Sequence, residues 1–391
     1  MSRSFVSQKI KDIPPSGIRR FFDIASAIPD AISLGVGEPD FVTPYHIRSA
    51  AVESIVDGGT QYTANKGLLR LRQEIAKYLE NRFGLSYVPE NEILVTVGAS
   101  EAIDLALRAT IEPGDEVVIP DPGYVSYSPC VIFAGGLPVL LPSRAETNFI
   151  MEAEALEKCI TPRTKAVIFP YPNNPTGAIM RYEDLQKIAD VCISHDLLVI
   201  SDEIYCELTY GDTHSSIAAL PGMKERTIYI SGFSKAFAMT GWRLGYTCAP
   251  KDLLSEMNKI HQYAIMCAPR QSQEAGIEAL KQGRSDQYKD VEFMRDSYDR
   301  RRRVMLDAFS KMNLPCFEPK GAFYCFPSIR ETGLDSETFC KRLLEDEKVV
   351  CVPGTAFGES GEGHIRCCYA TDLKKMLEAF ERMNRFLDKI K

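Results

Sequence analysis

Between about residues 90 and 250 the chain repeats one pattern: a short, almost wholly apolar run, then a longer stretch with apolar positions every three or four residues. The apolar runs are Ile93-Leu94-Val95-Thr96-Val97, Glu116-Val117-Val118-Ile119-Pro120, Ala166-Val167-Ile168-Phe169-Pro170, Leu197-Leu198-Val199-Ile200-Ser201 and Thr227-Ile228-Tyr229-Ile230. A strand that is apolar on both faces must be covered on both faces. Such strands interleaved with helices predict a mostly parallel sheet with helices on either side. Ligands of sheets of this kind bind beyond the carboxyl ends of the strands.

The pattern changes on both flanks. Leu68, Leu71, Ile75, Tyr78 and Leu79 mark one face of a helix. Earlier, Ile32-Ser33-Leu34 reads as a strand entering the turn Gly35-Val36-Gly37-Glu38-Pro39-Asp40. That turn has G-x-G but no third Gly and no following βαβ unit, so a dinucleotide fingerprint is not supported. Tyr288, Val291, Met294 and Tyr298 predict a long helix over about 288–312, with Asp299-Arg300-Arg301-Arg302-Arg303 as its solvated face. Strand-like runs then occupy Gly321–Pro327, Val349–Gly354 and His364–Tyr369, with helices between and after them. The expected class is therefore α/β, a large domain built on the sheet plus a smaller α+β domain. A length of 391 residues fits two domains.

Composition narrows the function. Hydrophobic residues make up 45% and charged residues 25%, as in ordinary globular proteins, and the net charge of −7 argues against nucleic acid or an anionic membrane as the main partner. Twelve Cys are scattered without a C-x-x-C, several in apolar runs, which is how small buried hydrophobes behave in a reducing cytoplasm. The five His never reach metal-ligand spacing, so no metal is expected. Met1 to Val6 lacks the apolar core of a signal peptide, and the run from Val131 to Leu141 is too short and broken to span a bilayer. A cytoplasmic location is expected.

Chemistry concentrates in Tyr229-Ile230-Ser231-Gly232-Phe233-Ser234-Lys235 and the residues up to Tyr246. Lys235 sits among Gly, Ser, Ala, Phe and Met. A desolvated lysine has a lowered pKa, and its neutral amine can form a Schiff base. Arg243, eight residues on, suits a phosphate dianion. Amine and phosphate clamp together point to pyridoxal 5′-phosphate, although the spacing alone equally allows a snorkelling Lys beside a structural Arg. Asp202 ends a buried run, where a carboxylate is costly unless it meets a cation or caps the next helix. Gly98-Ala99-Ser100-Glu101 follows a strand and opens a helix. Its free N–H groups could hold phosphate, or the segment could be a plain helix cap.

Gly232-Phe233-Ser234-Lys235 with Gly241-Trp242-Arg243-Leu244-Gly245 behind it resembles the lysine signature of class I/II aminotransferases, in the fold-type-I pyridoxal-phosphate superfamily. Further landmarks follow in family order along nearly the whole chain. The resemblance implies Lys235 as the Schiff-base lysine and proton shuttle. It implies Asp202 on the pyridine nitrogen, Tyr205 and Asn174 on the phenolic oxygen, and Tyr124 stacked on the ring. Ala99, Ser100, Glu101, Ser231 and Arg243 would hold the phosphate, with Tyr62 reaching it in the partner subunit. Gly37, Asn174 and Arg366 would meet the substrate, Arg366 taking its α-carboxylate bidentately. At least one of the bonds before Pro122 and Pro175 should be cis.

The implied domains are 1–45 as an arm and part of the small domain, 46–285 as the large cofactor-binding domain, and 286–391 as the small domain, in a homodimer with shared active sites. The implied activity (EC 2.6.1.-) moves an amino group from an L-amino acid to a 2-oxo acid, with 2-oxoglutarate as acceptor. The whole chain, including Ser16-Gly17-Ile18-Arg19 and Ile260-His261-Gln262-Tyr263, is similar to bacterial aspartate, aromatic and N-acetyl-diaminopimelate enzymes. The alternative on the same fold is a β-C–S lyase acting on cystathionine-like substrates. A cofactor-dependent transcription regulator would need a DNA-binding domain, and nothing before residue 30 reads as one. Two positions depart from common relatives. Gly232 stands where many have Ser, so Ser231, Ser234 or water must supply that hydroxyl to the phosphate, and Ser100 stands where some aspartate-specific enzymes have Lys, which argues against strict dicarboxylate selectivity.

Overall fold

The computed structural model describes residues 5–11, 13–15, 17–18 and 28–390. Its strands in chain order are β1 (Ile32–Ser33), β2 (Ile93–Thr96), β3 (Glu116–Asp121), β4 (Leu137–Pro142), β5 (Thr164–Phe169), β6 (Leu198–Asp202), β7 (Thr227–Gly232), β8 (Gly245–Cys248), β9 (Tyr324–Cys325), β10 (Val349–Val350), β11 (Val352–Pro353) and β12 (Ile365–Cys368). Ser16 and Arg19 lie outside the described residues.

The central sheet has the order β2-β8-β7-β6-β5-β3-β4. Every pairing from β7 to β4 is parallel, and only β8 runs antiparallel to its two neighbours. The continuous apolar runs have a direct consequence. On β5, Ala166 and Ile168 enter one apolar cluster while Val167 and Phe169 enter another on the opposite face. On β6, Val199 and Ile200 divide in the same way. Helices Gly98–Thr110 and Lys251–Ala264 contribute to one cluster, and helices Ala153–Cys159 and Tyr182–Ser194 to the other.

All five expected strands form within a few residues of their predicted bounds. Two strands were not anticipated. β4 carries Pro138 and Pro142, and it is tolerated because it lies at the sheet edge, where a missing N–H breaks no ladder. β8 is short and holds Gly245, a weak strand signal that its pairing with β7 overrides.

A second region gathers β1 against β10 and β11-β12-β9, packed on helices Lys289–Lys311, Ser336–Glu347 and Leu373–Ile390 through one large apolar cluster. β1 pairs in parallel with β10, Ile32 opposite Val349, so residues near 32 join the C-terminal part of the chain. The helix predicted over about 288–312 forms as Lys289–Lys311. Its basic run needs a correction. Arg302 is buried, not solvated: it is tied to Asp299, to Glu318 at 2.9 Å and to Pro319 O at 3.1 Å, with Arg301 paired to Asp40 beside it. Among the described residues no helix is long and apolar enough to cross a membrane. The peptide bonds before Pro122 and Pro175 are cis, as is that before Pro172.

Candidate active site

Parallel strands expose their carboxyl ends together, and here those ends open on one cavity of about 550 Å³. Asp202 is the last residue of β6, and Lys235 follows β7 by three residues. Tyr124 follows β3, and Asn174 lies in the loop after β5. Both Lys235 and Asp202 line the cavity, together with Arg243, Arg366 and Tyr205.

Lys235 Nζ donates to Gly37 O at 2.7 Å and lies 5.7 Å from the Tyr205 ring centre and 5.5 Å from that of Phe323. The approach requires glycine at 37, since a Cβ there would stand 2.4 Å from the Tyr324 hydroxyl. Burial pulls the Lys235 amine down to about 8, and Arg366 and Arg243 add to the shift while Cys368 and Glu38 oppose it. Asp202 responds in the opposite sense, as carboxyls do. Burial pushes it up to about 6, and hydrogen bonds from Tyr127 Oη at 2.8 Å and Ile204 N at 3.3 Å pull it back.

Arg243 is exposed, with Nη1 donating to Thr240 O at 3.1 Å, and none of its described bonds goes to a carboxylate. Its guanidinium lies against Gly98, the first residue of helix Gly98–Thr110. A Cβ on Gly98 would come 2.5 Å from Arg243 Nη2. Ala99, Ser100 and Ser234 line the cavity at the same end. Free helix N–H groups, a guanidinium and two hydroxyls form an anion site by their chemistry.

Across the cavity, Arg366 is 2% exposed. Its Nη1 donates to Asn174 Oδ1 at 2.9 Å and its Nη2 to Gly35 O at 2.6 Å, while buried Nε has no partner among the described residues. A buried cation without a carboxylate is costly, and a substrate carboxylate would offset that cost.

One expected residue is placed elsewhere. Ser231 lies inside β7, its hydroxyl donating to Glu203 O at 3.2 Å and not lining the cavity; Ser234 brings the hydroxyl instead. Ser231 is still inside β7, whereas Ser234 lies in the turn beyond the strand's end, where the chain meets the cavity. Glu101 was expected to offer its backbone N–H; its carboxylate is engaged apart from the cavity, accepting from Val97 N at 2.5 Å and paired with His261 Nδ1 at 2.6 Å. Tyr62, expected at a partner subunit's phosphate, is 79% exposed and outside this chain's own cavity. The Ser missing at 232 has a steric cause: a Cβ there would meet Gly245 Cα at 2.9 Å and Leu244 O at 3.0 Å.

Two tyrosines are among the lining residues that the sequence did not mark as site residues. Tyr127 follows Tyr124 at helical spacing, and Tyr324 is a hydroxyl inside a buried apolar run, where it needs a partner.

The family profile described as "Aminotransferase class I and II" matches residues 29–383. The chain belongs to that family. A Bacillus subtilis (strain 168) protein named as an aminotransferase is 53% identical over 99% of each chain. The aspartate aminotransferase of Pyrococcus abyssi (strain GE5 / Orsay) is 47% identical over 98% of each. Among solved structures, an aromatic aminotransferase from Pyrococcus horikoshii OT3 is 47% identical with a TM-score of 0.90, covering 94% of this chain and 99% of that one. This chain is an aminotransferase, and these relatives favour amino transfer over the lyase alternative.

Proposed function

We propose that this aminotransferase uses pyridoxal 5′-phosphate, with Lys235 as its Schiff-base amine, to move an amino group from an L-amino acid to a 2-oxo acid, 2-oxoglutarate serving as acceptor. The observation that carries this is a sheltered lysine amine, lowered to about 8, opening on a cavity that also holds a buried carboxyl, an anion site and a buried guanidinium fork. The residues fit the cofactor. Arg243, Ser234 and the start of helix Gly98–Thr110 would hold its phosphate, Asp202 its pyridine nitrogen, Tyr205 and Asn174 its phenolic oxygen, and Tyr124 its ring face. When bound, the cofactor supplies an electron sink for the pair left at the substrate α-carbon.

The protein's own part is positioning and proton handling. Arg366 and the backbone near Gly37 orient the substrate carboxylate, and Asn174 holds the fork in place. Lys235 Nζ holds the proton taken from the α-carbon and returns it. Asp202, kept from water, keeps a cationic partner charged and so sustains the electron sink.

Residues 46–285 and 286–391, with the first 45, are proposed as the large and small domains, and the cytoplasm as the location, supported by twelve scattered cysteines that are all unpaired and mostly buried. A homodimer is proposed as well, supported by Tyr62, which is exposed and free to reach a partner's site. Light scattering tests it. Lys235→Ala tests the function: turnover and the visible absorption of bound pyridoxal phosphate should both vanish. A fully active Lys235→Ala enzyme overturns the assignment. Absorbance of the half-reaction across amino-acid donors then identifies the preferred donor.

A further inference from the structure

Tyr324 lies between the two ends of the site. On β9 it faces Cys368 of β12, two residues beyond Arg366, so its ring and the Arg366 side chain share one face of that small sheet. The Arg366 guanidinium carbon is 4.4 Å from the Tyr324 ring centre. The Tyr324 hydroxyl is 2.8 Å from the hydroxyl of Tyr205, which comes from the loop after β6 in the large sheet. Tyr324 is 1% exposed, and the bare Cα of Gly37 leaves room for its hydroxyl.

We infer that Tyr324 is a positioning residue that aligns Tyr205 and Arg366 together, its hydroxyl orienting one and its ring face the other. This rests on the proposed function and deepens it. A hydroxyl is a free rotor with one proton. When Tyr324 donates to the Tyr205 oxygen, the Tyr205 proton is left to point into the cavity, and a donor that is itself hydrogen-bonded donates more strongly. A guanidinium is planar. Its bonds to Asn174 and Gly35 O fix its edge, and the Tyr324 ring at 4.4 Å, with the Phe357 ring at 4.8 Å, restricts its tilt, so the fork meets a planar carboxylate in register. One side chain thereby links the large sheet to the small one where the ligands meet.

Two variants separate these roles, with pyridoxal phosphate affinity of the apoenzyme read from the fluorescence of Trp242, the chain's single tryptophan. Tyr324→Phe keeps the ring and should weaken cofactor affinity about fivefold, with KM for the 2-oxo acid within about twofold of wild type. Tyr324→Leu loses both functions and should also raise that KM about tenfold. Wild-type cofactor affinity in Tyr324→Phe, a rise in KM there as large as the loss of cofactor affinity, or a wild-type KM in Tyr324→Leu would overturn the inference. If Tyr324→Leu fails to fold, the split in Tyr324→Phe decides alone. A wild-type chain that binds no pyridoxal phosphate would sink the functional proposal instead, which keeps the two failures distinct.

Discussion

Replacing Gly98 with Ala perturbs the phosphate end of the site and little else. Gly98 is held at φ 75°, a left-handed conformation that costs a side-chain-bearing residue about 1–2 kcal/mol. The new methyl would also lie 2.5 Å from Arg243 Nη2 and 3.0 Å from Cζ. Ordinary contact begins roughly 1 Å farther out, so the guanidinium must swing away from the helix start. That swing is cheap, because the group ends a flexible side chain held by one bond to Thr240 O. What disappears is charge-assisted bonding between guanidinium and phosphate, about 1.5–3 kcal/mol. Pyridoxal phosphate affinity should therefore fall about ten- to hundredfold, while stability falls by only about 1–2 kcal/mol. Trp242 fluorescence follows the first quantity and urea unfolding the second. Unchanged affinity in Gly98→Ala would refute the placement of the phosphate against Arg243 and the helix start.

Other consequences follow from burial and charge. Folding raises the Asp202 carboxyl to about 6, so the native state holds that proton more tightly than the unfolded chain does. Its cost to stability grows as pH climbs from about 4 to about 6 and is complete above that. Asp202→Asn apoenzyme should thus gain up to about 3 kcal/mol over wild type at high pH, and less near pH 4. Thermal melts that differ by the same amount at both pH values would contradict this. With the Lys235 amine lowered to about 8, uptake of pyridoxal phosphate by the apoenzyme should rise with pH and level off above that value. A rate that is flat from about pH 7 to about pH 9 in stopped-flow absorbance counts against it. Arg366→Lys loses the planar fork and should raise KM for donor and acceptor about tenfold or more with a smaller change in kcat, which steady-state kinetics resolves. Arg302→Ala, which strips a buried cation from Asp299 and Glu318, should cost about 2 kcal/mol in urea unfolding. Exposed Arg300→Ala should stay within about 0.5 kcal/mol of wild type.

Continuous apolar runs interleaved with helical stretches were enough to specify a mostly parallel sheet, because such strands need cover on both faces and the intervening helices supply it. The same pattern put Asp202 and Lys235 at carboxyl ends, and the family likeness marked Arg243, Asn174 and Arg366. The exact end of β7 and long-range partners were not legible. Ser231 and Ser234 are equally plausible as sequence, but pairing turns the first toward Glu203 O and leaves the second on the cavity. Glu101 is claimed by His261, 160 residues away, and Tyr127 reaches Asp202 across 75 residues. Arg302 looks like its exposed neighbours until Glu318 and Pro319 close over it. Tyr324 becomes meaningful only when β9 lies beside β12. Hydrophobic burial depends on local periodicity, which a sequence displays. A hydrogen bond depends on the direction of two groups that only the folded chain brings together.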